Sequence, residues 1–282
     1  MRLKRSGAEI WAPDGAPAEE ALARTTHLGV CAHPDDLEIL AFPGIIECFQ
    51  REDRWFAGVL MSDGAGSPRE GIYAGYTDQA MRAVRRREQK KAAHVGEYGA
   101  LVLLDYSSAD VKDPRQAMIV EDLGAVLRVA RPEVVYTHNP ADRHDTHVAT
   151  ALRTIAALRQ LSPKDRHRRI LGGEVWRDLD WMVERDKVVQ DVAARESLAA
   201  ALLGVFDSQI GGGKRYDLAT LGRRRAHATY AAPRSADTKA QISLAMDLTP
   251  LVADASIDVA AYVEAHIDRF AEDVRERIVR LR

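Results

Sequence analysis

Cysteine is scarce. Cys31 and Cys48 are the only two in 282 residues, too few for a disulfide scaffold in a chain of this length. Cys31 falls in an apolar run and reads as an inert core thiol. Long apolar runs are missing as well, and none reaches the length that crosses a bilayer. The basic start, Met1-Arg2-Leu3-Lys4-Arg5, is followed by no apolar stretch. No signal peptide is therefore visible, and the expected location is cytoplasmic. Neither sign of charge is in excess: 40 Lys and Arg against 42 Asp and Glu leave −2, which gives no global pull toward nucleic acid or a membrane surface. What remains is ordinary globular material, 46% hydrophobic and long enough to bury a sizeable core.

Near-continuous apolar runs at 26–32, 55–62, 101–106 and 133–137 are expected as strands buried on both faces. Helices are expected between them at 37–50, interrupted at Pro43-Gly44, at 77–94 and at 116–130, with another at 148–158. This alternation predicts an α/β fold, a Rossmann-like and mainly parallel sheet with helices on both faces, plus a C-terminal elaboration. No internal repeat or low-complexity linker divides the chain, so one domain over 1–282 is expected. It comprises an arm at 1–24, loosely packed or partly disordered, a motif-bearing core at 25–160, and an elaboration at 161–282 that shapes the pocket. Within the elaboration the expectations are a strand at 170–176, helices at 195–206 and 218–230, an edge strand at 241–248 and a terminal amphipathic helix at 257–281.

Two polar clusters terminate the first and fourth apolar runs. The first holds His33, Asp35 and Asp36; the second holds His138, Asp142, His144, Asp145 and His147. Four of the nine histidines are in these clusters. The carboxyl ends of strands are where open α/β sheets bind ligands. The Gly-x-Gly-x-x-Gly fingerprint is absent after the first strand, where His33-Pro34-Asp35-Asp36 stands instead, so a dinucleotide site is disfavoured. His33, Asp36 and His147 would give two nitrogens and one oxygen to a metal, leaving a fourth position for water. Asp35 lies between two of these donors and is free to act as a base. Singly, each residue has a plainer reading: a hydrogen-bonded histidine, or an Asp that caps the following helix. Those readings do not explain why both clusters fall where α/β sites fall.

His33-Pro34-Asp35-Asp36 and the segment from His138 to His147 resemble the PIG-L/LmbE-like family of zinc-dependent N-deacetylases. Family members deacetylate N-acetylglucosaminyl-phosphatidylinositol, mycothiol and bacillithiol precursors, and chitooligosaccharides. The resemblance covers roughly residues 26–160. It implies one Zn²⁺ per chain, or another divalent metal, on His33, Asp36 and His147. It implies Asp35 as general base and His144 as the residue that stabilises the oxyanion. Three departures stand out. Thr146 occupies the place of a family Asp, so Asp142 or Asp145 would have to orient and charge His144. Phe42 and Pro43 interrupt a helix usually rich in small residues. Asp63 is the nearest acidic group where the family has a Gly-Glu pair.

The function expected from this resemblance is removal of an acetyl group from an N-acetylated amino sugar or its conjugate. The alternatives are an amidase acting on thiol-sugar conjugates or another small amide, and a non-catalytic carbohydrate- or nucleotide-binding protein. The partner is a small N-acetylated sugar-type molecule, with no nucleic acid and no membrane span; a homo-oligomer stays open. Arg82, Arg85, Arg86, Arg87, Lys90 and Lys91 read as a solvated helix face, although Arg69 or one helix Arg could reach the substrate. Gly211-Gly212-Gly213-Lys214-Arg215 reads as a lid or turn rather than a phosphate cradle. Trp176 and Trp181 read as core before sugar-stacking rings, and Arg166–Arg169 and Arg223–Arg225 read as surface.

Overall fold

The structure is a computed structural model that describes residues 1–162 and 169–282. Arg166 and Arg168 of the charged stretch above lie outside the described residues. The strands are β1 (Glu9–Trp11), β2 (His27–Cys31), β3 (Phe56–Ser62), β4 (Ala100–Tyr106), β5 (Val134–His138), β6 (Arg169–Gly173), β7 (Lys187–Asp191) and β8 (Ile242–Asp247). They form one mixed sheet in the order β1-β4-β3-β2-β5-β6-β8-β7. From β4 to β6 every pair is parallel; β1, β8 and β7 pair antiparallel at the two flanks.

Hydropathy explains the centre of this sheet. Every residue of β2, β3 and β4 is buried, as expected of strands covered on both faces. Each fully buried Leu or Val contributes about 1.5–3 kcal/mol, so the middle of the sheet is a rigid frame. The chain leaves β2 for β3 and β4 on one side, then crosses to β5 on the other. A crevice opens at such a reversal, beyond the carboxyl ends of the two strands.

The flanks differ from expectation. The segment expected as a loose arm supplies β1, which lies against β4 with Trp11 opposite Leu101. The strand expected at the edge, β8, is internal, between β6 and β7. The true edge, β7, reads Lys-Val-Val-Gln-Asp and is only half-buried.

Helices α1 (Ala18–Ala23), α2 (Asp36–Leu40), α3 (Phe42–Cys48), α4 (Asp78–Val95), α5 (Ser108–Lys112), α6 (Ala117–Ala130) and α7 (Asp145–Arg159) accompany the first half. The segment 37–50 is two helices broken at Ala41, with Pro43 in the first turn of α3, where its missing N–H costs nothing. Helix α4 starts at Thr77, whose hydroxyl accepts the Ala80 N–H at 3.2 Å. Its basic face is not simply solvated. Arg85 is 1% exposed, Arg82 pairs with Asp105, and Arg86 and Lys90 pair with Glu9 of β1. Arg87 and Lys91 alone of the six are exposed.

The second half adds α8 (Glu196–Gly204), α9 (Asp207–Ile210), α10 (Tyr216–Tyr230), α11 (Thr249–Ala253) and α12 (Val259–Arg280). Arg224 of α10, expected on the surface, is buried. Its guanidinium donates to the Glu38 and Ile39 carbonyls at 3.0 Å each and lies 4.4 Å from the Phe42 ring centre. It thereby satisfies carbonyls at the end of α2 and docks α10 there. No helix among the described residues is long and apolar enough to cross a membrane.

Candidate metal centre and catalytic cavity

The two polar clusters meet at the carboxyl ends of β2 and β5. The Ala32 N–H donates to His138 Nε2 at 3.0 Å and ties the two strand ends together. The chain then turns sharply. Asp35 has φ of +95°, a left-handed conformation that costs a non-glycine residue about 1–3 kcal/mol. Helix α4 holds that turn: Gln89 accepts the Asp35 N–H at 3.1 Å, and Arg85 donates to the Pro34 carbonyl and, at 3.0 Å, to the Asp35 carboxylate. The turn places Asp36 in the first turn of α2, where its Oδ2 accepts the His33 N–H at 2.7 Å.

Three lone-pair atoms converge there. His33 Nδ1 and His147 Nε2 are 3.1 Å apart, His33 Nδ1 and Asp36 Oδ2 3.2 Å, and His147 Nε2 and Asp36 Oδ2 3.4 Å. Donors about 2.0–2.1 Å from a tetrahedral ion stand about 3.3–3.4 Å apart. The sides of this triangle of His33, Asp36 and His147 match that spacing. His147 Nδ1 faces Asp142 Oδ2 at 3.5 Å, which places the ring proton there and leaves Nε2 as a lone pair. His138 is fully buried beneath the triangle. It stacks on His147 at 3.9 Å between ring centres, with its Nε2 3.4 Å from Asp36 Oδ2. It adds a further nitrogen behind the donors, and two compact sets of possible ligands overlap here, His33, His144 and His147, and Asp36, His138 and His147.

Electrostatics separate the two adjacent carboxylates. Burial pushes Asp36 up, but the neighbouring His147, His138 and His33 outweigh it and hold the group well below the usual carboxylate range. Burial pushes Asp35 up to about 6 against the opposing charge of Arg85, with the Asp36 charge adding to the rise. Burial lowers His147 to about 4 and also lowers His144, where His33 adds to the effect. Both imidazoles are thus neutral near pH 7.

His144 is the N-cap of α7, and its Nδ1 accepts the Thr146 N–H at 3.3 Å. The neutral ring then carries its proton on Nε2. No carboxylate contacts this ring among the described residues. Of the two carboxylates expected to orient and charge His144, Asp142 favours the protonated ring by its charge, as Asp36 does, while a backbone amide orients the ring. Asp145 is exposed. Asp142 instead accepts the backbone N–H groups of His144 at 3.0 Å and Trp176 at 3.2 Å. Asp63 and Arg69 do not line the central cavity. Asp63 accepts the Ala65 N–H at 3.0 Å, and Arg69 pairs with Asp78.

His33, Asp35, Asp36, His144 and His147 share one cavity of about 480 Å³. Sequence reading missed Gln209 from α9 and Tyr216 at the start of α10 among its walls, whereas Arg85 is one of the helix arginines expected to be able to reach a substrate and Lys214 lies in the 211–215 stretch singled out above. Arg85 had a signal, since it lies in helical phase with Met81, Glu88 and Ala92, all buried. Gln209 and Tyr216 had none. Trp176, expected first as core, lines the cavity with its ring centre 6.1 Å from that of His144, while Trp181 packs on the core. The segment 211–215 is a hydrogen-bonded turn, with the Lys214 N–H donating to the Gln209 carbonyl at 2.8 Å.

Residues 28–158 match the family model PIG-L: GlcNAc-PI de-N-acetylase. No curated protein matches the chain in sequence. Among solved structures, the chain is similar to an N,N'-diacetylchitobiose deacetylase from Pyrococcus horikoshii, with TM-score 0.59 and 17% identity over 78% of this chain and 83% of that one. A deacetylase of the A40926 pseudoaglycone gives TM-score 0.58 and 16% identity over 79% and 97%. A 4-carboxy-2-hydroxymuconate hydratase from Pseudomonas putida KT2440 gives TM-score 0.59 and 17% identity over 79% and 96%. At these identities the structural likeness establishes the fold, and that fold serves two different reactions.

Proposed function

Proceeding from the PIG-L family domain that the chain carries over residues 28–158, we propose a metal-dependent hydrolase that removes the acetyl group from an N-acetylated amino sugar or its conjugate. The observation that carries this reading is the triangle of His33, Asp36 and His147, with sides of 3.1–3.4 Å, beside a strained and buried Asp35. We read the sheet as Rossmann-like and the chain as one domain, on the parallel order β4-β3-β2-β5-β6 and its reversal at the site. The donor set of two imidazoles and one carboxylate suits Zn²⁺, one per chain.

His33, Asp36 and His147 would hold the ion, which when bound supplies Lewis acidity and a water of lowered pKa. The remaining chemistry belongs to the protein. Asp35 accepts the proton of the attacking water and delivers it to the amide nitrogen as the C–N bond breaks. Arg85 keeps the Asp35 carboxylate aimed and balances its charge. The Nε2–H of His144 donates to the oxyanion that develops on the carbonyl, a contribution of about 3–4 kcal/mol in comparable sites. Water is consumed, and acetate and a free amine leave.

Asp35 also separates this reading from a binding module, which needs no strained base beside its metal. The hydratase of the same fold defines the contrasting outcome, water addition without acetate release. Metal analysis and acetate release from N-acetylglucosamine and its oligomers decide between them. Asp35→Asn should retain metal and lose about 10²–10⁴-fold of turnover, whereas His147→Ala should lose the metal. Equal metal loss in both variants contradicts these roles. No acetate release with Zn²⁺, Co²⁺, Ni²⁺ or Fe²⁺ overturns the deacetylase reading.

A further inference from the structure

Helix α12 presents a face that no other element covers among the described residues. Its first half is docked. Tyr262 Oη–H donates to the Asp247 carbonyl at 2.6 Å, His266 is buried, and Arg269 pairs with Asp186 ahead of β7. Beyond Arg269, every hydrogen bond and ion pair of α12 among the described residues stays within the helix. Every position from Val274 to Arg282 is exposed. A free helix of that length is marginal in water, yet this stretch is not a polar tail. Ile267, Phe270, Val274, Ile278 and Leu281 follow one another at intervals of three and four, which lines them along one side of the helix. They are 38% to 78% exposed, and a continuous apolar stripe left in water marks a contact surface.

The charges beside the stripe say what fits it. The first half of the helix carries Glu264 and Asp268, and its end carries Arg280 and Arg282. None of the four has an ion-pair partner among the described residues. Glu264 and Arg282 stand on the same flank of the stripe, since the distance between them is about five helical turns. Two such helices side by side in the same direction would set acid against acid and base against base. Reversed, each acidic half meets a basic end, and the two macrodipoles oppose one another. We propose that α12 docks on α12 of a second copy of the chain, antiparallel about a two-fold axis between Phe270 and Val274. Phe270 of one copy then packs on Val274 of the other, and the symmetry makes each contact twice. A helix that lies on a membrane is rich in Lys and Arg on its polar face. Here Glu264, Asp268, Glu272, Asp273 and Glu276 are spread along the helix, which favours the protein partner over a lipid surface.

Sedimentation equilibrium of the 282-residue protein tests the pairing. The parent should reach twice the chain mass at micromolar concentration. Phe270→Glu/Ile278→Glu should sediment as a monomer, with metal content and cooperative melting showing that it is folded. Glu264→Lys/Asp268→Lys and Arg280→Glu/Arg282→Glu should each dimerise about tenfold more weakly than the parent. Mixing those two variants should restore the parental affinity, because each then meets its opposite charge. A dimer that survives Phe270→Glu/Ile278→Glu overturns the stripe as the contact. Charge-reversed variants that pair as tightly as the parent overturn the antiparallel arrangement. A parent that stays monomeric at about 100 µM overturns the pairing altogether, and co-sedimentation of that monomer with phosphatidylglycerol vesicles would then assign the stripe to a lipid surface.

Discussion

Glu38 is fully buried two residues beyond Asp36. Its Oε1 accepts Tyr98 Oη–H at 2.7 Å and Gln89 Nε2–H at 2.8 Å, while its Oε2 has no partner among the described residues. Burial pushes its carboxyl up to about 8, against the lowering effect of those two bonds. The sign follows by linkage. The folded state holds the proton more tightly than the unfolded chain, whose carboxyl titrates near 4.5. Stability from this group is complete below that value and is lost as pH rises through about 8. Glu38→Gln should therefore melt higher than the parent near pH 9 and converge with it near pH 5. Parallel melting curves across that range would contradict the assignment. Asp142 makes a different prediction. It braces His147, His144 and Trp176 together, so Asp142→Ala should weaken metal binding by about 10–100-fold, as measured by competition with a chelator. At this scale the placement of His33, Asp35 and Asp36 together at the end of β2 was legible, because they are neighbours in the chain and a sharp turn fixes them. It was a poor guide to Asp63, Arg69 and Asp145. Each is close in sequence to a loop at the right end of the sheet, but each side chain turns to a local partner or to solvent.

Among the elements, the interrupted helix around Pro43 carries a test of its own. A Cβ on Gly44 would stand 2.5 Å from the Tyr136 ring, so α3 approaches β5 as closely as it does only because that residue is glycine. Gly44→Ala should destabilise the fold by about 1–3 kcal/mol, read from urea unfolding, with the metal donors unchanged in identity. Strands β2 to β5 were legible because burial on both faces writes itself as an unbroken apolar run. The strand β1 was hidden by its three-residue length, and β7 by polar residues at three of its five positions, since an edge strand needs little apolar surface. Helix α5 escaped for the same reason of length, and it carries Lys112. A solvated face does not extend to Arg85, which helical phase places with the buried Met81, Glu88 and Ala92.

For the whole molecule, metal and fold are linked. The donors converge only when β2, β5 and α7 are in place, so a divalent ion binds the folded state in preference to the unfolded one. At about 100 times its dissociation constant it should add about 2.7 kcal/mol, or roughly 5 °C of melting temperature for a chain of this size. Chelation should reverse the gain, and His147→Ala should show none of it; differential scanning calorimetry checks both. The cavity could not have been assembled from sequence at this scale. Its walls come from α4, α5, α9 and α10 as well as the two motif loops, and no local pattern records which of these elements face one another.

The internal position of β8 also sets an order of events during synthesis. His33, Asp36 and His147 all leave the ribosome before β7, whereas β7 has no partner until residues 242–247 follow it. The excursion between those strands carries Gln209, Lys214 and the Arg224 that fastens α10 to α2. A nascent chain thus has His33, Asp36 and His147 before it has the part of the cavity wall that α9 and α10 supply. Domains gain structure from the N-terminal side as they are made, and here the polar clusters at the ends of β2 and β5 come before the α9 and α10 side of their cavity.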